Sequence, residues 1–142
     1  METKPGSAEL IEAAIESIRG ELLPALSGRA AFQARVVITV LDTARREVLQ
    51  APAADAAELA RLRALLAMAH APDGAADPVL PALRHTLCDA IREGRVDLAT
   101  PGLADHLWAD VLARVAIDQP AYPSFVREAA PAASPVPERT RD

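Results

Sequence analysis

Four polar residues in one unpunctuated stretch, Arg35, Thr39, Asp42 and Arg46, stand four, three and four positions apart. On a helix that spacing places all four on one face. Two guanidiniums eleven positions apart, with a hydroxyl and a carboxylate between them, suit an anion such as a phosphate, a carboxylate or an acyl carrier. With Glu47 and His106 they define a candidate ligand-binding set around a pocket between helices. The competing reading is structural. Asp42 pairs with Arg46 and Thr39 bridges toward Arg35, giving a solvated or ion-paired seam of a common kind.

His85 and Cys88, three apart, share a helix face, and His106 would extend them to a partial zinc site. No further thiol or acid stands at ligand spacing, and His70 belongs at a helix end, so we assign no metal. Cys88 beside Leu87 reads as a small core residue. A nucleophile paired with histidine would need a strand-turn-helix elbow or a Gly-rich oxyanion loop, and neither is present. The six glycines are scattered through turns, without a phosphate-cradling motif. We therefore assign no catalytic residue and no cofactor.

The element that must position the first set is Ala31 to Leu49. Its run Val36-Val37-Ile38-Thr39-Val40-Leu41 has strand propensity, yet no Gly or Pro lies between Arg29 and Ala51. Roughly twenty residues without punctuation, flanked by Ala, Arg, Gln, Glu and Leu, make a helix rather than a strand. Its apolar middle predicts a helix at the centre of a bundle, over roughly 29–50.

Before it, Leu10, Ile11, Ala14, Ile15, Ile18 and Leu22 follow helical spacing behind Ser7 as N-cap, with a kink or break at Gly20 and Pro24. Pro52 ends the central helix. A third helix runs from Asp55 to about Ala69, followed by a loop over 71–78. A fourth runs from Val79 to Glu93 with the stripe Leu80, Leu83, Leu87, Ile91, stopped by Gly94. A fifth carries Leu103, Leu107, Val111 and Val115, widened by Trp108 and Leu112 and stopped by Pro120. Tyr122 and Phe125 fold back onto the bundle. The expected fold is all-α, about five helices around the central one, with no sheet. Residues 1–6 are a flexible N-terminus, 7–126 a single domain, and 127–142 a mobile Pro/Ala-rich tail.

Bulk properties narrow the function. The 142 residues suffice for one modest core, 51 % of them apolar but only 3 % aromatic, so small aliphatic side chains must fill it. A net charge of −5 argues against a nucleic-acid partner. The lone cysteine allows no internal disulfide, and no apolar run reaches membrane-spanning length. A cytoplasmic protein without a membrane partner is the expectation.

The order of several short motifs is similar to that of a small bacterial family, a domain of unknown function. They are Leu22-Leu23-Pro24-Ala25-Leu26 with Gly28, then Phe32, Arg35-Val36, Leu41 and Arg46-Glu47. Later come Leu87-Cys88, Ile91-Arg92, Gly94, Asp97 and His106-Leu107. The last is Ala116-Ile117-Asp118-Gln119-Pro120-Ala121-Tyr122. The resemblance spans roughly Ser7 to Tyr122. Thr39 and Gln119 stand where that family usually has Asn, so any chemistry resting on those Asn does not transfer. Family genes commonly lie beside those for aminoglycoside-phosphotransferase-like kinases and acyl-CoA dehydrogenases. The resemblance implies a helical domain working near such enzymes; with no catalytic constellation in the sequence, the expectation is a non-catalytic accessory protein acting with one of them, with homo-oligomerisation open. The alternative is a module binding an anionic or acyl-CoA-type ligand, or a small enzyme, on the central-helix residues. An accessory role predicts an apolar patch left over on the surface.

Overall fold

The structure, a computed structural model, describes residues 4–68 and 79–129. It is all-α: α1 (Ser7–Ser17), α2 (Gly28–Met68), α3 (Leu80–Arg92), α4 (Leu103–Asp118) and α5 (Pro123–Ala129). No strand occurs among the described residues. The expected 71–78 loop, His70 and most of the tail lie outside them. Residues 127–129, expected in the tail, form the last turn of α5.

The N-cap of α1 is Gly6 and not Ser7. Glu9 accepts a hydrogen bond from the Gly6 N–H at 2.8 Å, the carboxylate half of a capping box. At the helix end, Pro24 cannot donate to the Gly20 carbonyl four residues back. The chain widens into a π turn over Ile18–Leu22, where Leu23 N–H reaches Ile18 O, then tightens into a 3-10 turn over Leu23–Ala25. This expected kink sets α1 against the first half of α2.

The expected helix end at Pro52 is corrected: α2 runs 41 residues, straight through that proline. What the sequence reading took for a central and a third helix is one element. Proline removes the bond to the Val48 carbonyl, but Val48 is exposed, so water can satisfy that oxygen. Both halves are pinned independently. Ala31 and Ile38 are buried on the α1 side, and Leu62, Leu65 and Leu66 on the other half join the main core with Leu83, Leu87, Ala90, Val96 and Leu103. The core therefore centres on the second half of α2. Its first half, read as enclosed, leaves Phe32, Val36, Val37 and Val40 exposed.

α3 starts with Pro81 in its first turn and ends at Gly94 (φ +71), as its punctuation dictates. Its buried stripe includes Ala90 and leaves out Ile91, which is exposed. Asp97 and Thr100 brace the next turn, Ala99 N–H donating to Asp97 Oδ1 at 2.9 Å and Asp97 N–H to Thr100 Oγ1 at 3.0 Å. Gly102 (φ +86) then launches α4 beside Leu65. α4 runs antiparallel to α2: its start lies by Leu65 and its end, at Ile117, by Arg46. Among the described residues no helix is long and apolar enough to cross a membrane.

Candidate functional site

The polar stripe on α2 does not converge on one point. Arg35 is exposed, and Thr39 donates its hydroxyl to the Arg35 carbonyl at 3.0 Å instead of bridging to its guanidinium. Asp42 faces Arg19 of the π turn at 3.8 Å, so the expected Asp42–Arg46 pair is not the one formed. Arg46 donates from Nε to Ile117 O at 2.6 Å and from Nη2 to Thr43 Oγ1 at 2.9 Å. A guanidinium at the C-terminal end of α4 meets carbonyls that the helix itself cannot satisfy. Next to this stripe, Arg45 makes an ion pair with Glu12 of α1. Three of the stripe's neighbourhood charges are thus engaged in holding helices together.

Glu47 points elsewhere, to the rim of a cleft of about 330 Å³ between α2, α3 and α4. The cleft's other charged walls are Asp55, Glu58 and Arg61 from α2, Arg84 from α3, and Asp110, Arg114 and Asp118 from α4. Its anchor is Glu58, 5 % exposed, which accepts two parallel bonds from Arg84, Nε to Oε1 at 2.7 Å and Nη2 to Oε2 at 2.6 Å. This fork-on-fork geometry is the strongest form of the pair, and the hydrogen bonds to Glu58 raise the Arg84 pKa further above its ordinary value. Asp55 stands 3.6 Å from the same guanidinium, and Arg114 bonds Asp110 at 3.0 Å one helical turn away. Sequence reading missed Glu58 and Arg84 because they lie 26 positions apart and meet only through the packing of α3 on α2.

His106, expected in the ligand-binding set, is 4 % exposed on the α2-facing side of α4, with Nδ1 unpartnered among the described residues. Burial, and then the nearby Arg61 charge, lower its pKa, so the imidazole is held neutral. It is not among the residues lining the cleft, whereas Arg61, whose buried Nε also lacks a hydrogen-bond partner, is. Of the six residues expected to converge, the cleft brings in Glu47 alone. Cys88, read as buried, is exposed on α3, as is His85. Among the described residues no three His, Cys, Asp or Glu side chains group to hold a metal.

α4 has a second peculiarity. Its face toward α2 carries Leu103, His106, Asp110, Ala113 and Ile117, while Leu107, Trp108 and Val111, expected in the core, are exposed. Trp108 is 54 % exposed and Tyr122 51 %. Together with Val115 and Phe125 they line a shallow apolar groove between α4 and α5, so the expected folding back of Tyr122 and Phe125 leaves a groove rather than a sealed seam.

A family described as Domain of unknown function (DUF6285) matches residues 24–122, from Pro24 through α4 to Tyr122. No curated protein and no solved structure matches the chain.

Proposed function

This chain belongs to the DUF6285 family of domains of unknown function, and from that premise we propose that it is a non-catalytic cytoplasmic interaction domain. Its partner is the phosphotransferase-like kinase or the acyl-CoA dehydrogenase whose genes accompany such bacterial domains. The observation that carries this reading is the outward apolar side of α4. That helix buries His106 between Leu103 and Ile117 and half-buries Asp110, yet presents Leu107, Trp108 and Val111 outward. A monomer gains nothing by exposing Trp beside Tyr on a groove, and these are the residue types that dominate the energy of protein interfaces. Isothermal titration of the chain against each of the two enzymes tests it. Binding in the micromolar range or tighter, weakened at least about tenfold by Trp108→Asp, is expected. Absence of heat from both enzymes at saturating concentrations overturns it.

A second reading, a small-ligand module, draws on the cleft at Glu47. Arg61 lines it with a buried, unpartnered Nε, a donor suited to a carboxylate or phosphate. A thermal-shift screen with acyl-CoAs, nucleotides and phosphosugars tests it, since a ligand that binds the native state raises its apparent stability. Stabilisation that Arg61→Leu abolishes supports the module, and a flat screen removes it.

A further inference from the structure

α1 packs on the side of α2 that carries Ala31 and Ile38. At 3.6 residues per turn, Arg29, Gln33, Val36, Val40, Ala44 and Glu47 lie on the opposite side, flanked by Phe32 and Val37. Every one of them is exposed, Phe32 at 59 % and Val40 at 61 %. α4 covers this same face farther along and stops at Ile117 and Asp118, beside Arg46 and Glu47. From there to Arg29, no described element covers it.

We propose that this bare row of α2 is a two-fold interface, covered by α2 of a second copy of this chain running antiparallel. The occupant follows from the row's own pattern. Arg29 and Glu47 stand 18 residues apart, five turns or roughly 27 Å, so they head the same line of the helix with opposite charge at its two ends. An antiparallel pair centred at the level of Ile38 sets each Arg29 against the other copy's Glu47. The same register sets Val36 against Val40, and bulky Phe32 against small Ala44. Residue i meets residue 76 − i at every level, which is the self-complementarity a two-fold axis demands. Rows of side chains four apart, such as Phe32, Val36, Val40 and Ala44, are the ridges that pack into a like helix. Since α4 also runs antiparallel to α2, the second copy's α2 would continue the line of α4. Its positive N-terminal end, with Arg29, would meet the negative C-terminal end of α4 and Asp118. A parallel pair would oppose Arg29 with Arg29 and Glu47 with Glu47.

This inference concerns α2 and leaves the α4 groove open for an enzyme, so the two proposals fail separately. Sedimentation equilibrium of the full chain is expected to give twice its 15.0 kDa mass. Val40→Glu, with helicity checked by circular dichroism, is expected to weaken self-association at least about thirtyfold. Arg29→Glu weakens it and Arg29→Glu with Glu47→Arg restores it. Chains carrying Val36→Cys and Val40→Cys, each in a Cys88→Ser background, are expected to crosslink when mixed. A chain that stays monomeric, or a dimer indifferent to both Val40→Glu and the charge swap, overturns the inference. A monomer that still binds an enzyme through Trp108 would leave the proposed function standing.

Discussion

Arg46 on α2 donates its Nε hydrogen to the carbonyl of Ile117, 2.6 Å away, in the last turn of α4. One guanidinium thereby ties the middle of the longest helix to the end of the helix that runs back along it. The residue that chemistry alone would nominate for an anion is spent on a backbone carbonyl.

Arg46→Ala is therefore expected to lower stability by about 2 kcal/mol, the range for a charged hydrogen bond at a helix end. Urea denaturation of wild type and variant measures it. Unchanged stability would show that the tether is dispensable and return Arg46 to the ligand-binding candidates.

The Glu58–Arg84 fork makes an asymmetric prediction. Arg84→Met strands a carboxylate 6 % exposed and is expected to cost about 3 kcal/mol. Glu58→Leu releases a guanidinium whose side chain is already 40 % exposed and can turn to water, so it costs less. The double variant is expected to recover most of the loss, and a double-mutant cycle on denaturation midpoints measures the coupling. Equal costs for the two single changes would mean that Glu58 is not desolvated in solution.

His106 makes stability depend on pH. Burial, with Arg61 adding to it, lowers its folded-state pKa below the unfolded value near 6.5. Above that value the imidazole is neutral in both states and its titration adds no cost. As pH falls through it, the unfolded chain takes up the proton first and stability declines, by at most about 1.4 kcal/mol per pH unit. Thermal melts from pH 7.5 to 5 are expected to show a steeper acid-side loss in wild type than in His106→Leu. Parallel curves would contradict the assignment.

Pro52 lies inside α2, where it forfeits a bond to Val48 O. Pro52→Ala is expected to stabilise the fold by about 1–3 kcal/mol, read from the denaturation midpoint. Destabilisation would indicate that the proline ring itself is needed to hold both halves of α2 on their partners.

These same residues show what the chain discloses about itself. Helix content was legible because the β-branched run Val36–Val40 sits in unpunctuated helix formers, and Gly20 with Pro24 marked a break that became a π turn and a 3-10 turn. The end assigned to Pro52 failed for a tertiary reason: packing at Ile38 on one side and Leu62 on the other outweighs one lost hydrogen bond. Periodicity also located the apolar stripe of α4 without telling which side α2 would take. The small Ala113 leaves room for His106 and Asp110 to pack inward between Leu103 and Ile117. The cleft was illegible for a simpler reason, since Glu58 and Arg84 become neighbours only when α3 lies on α2.

The central claim is that this domain works by docking, with Trp108 of the exposed α4 face at the contact. Isothermal titration of wild type and Trp108→Asp against a phosphotransferase-like kinase and an acyl-CoA dehydrogenase, the two partners proposed for it, tests that most directly. The account predicts a micromolar or tighter complex with one of them, weakened at least about tenfold by the substitution. No binding to either enzyme, or a complex indifferent to Trp108→Asp, would contradict it.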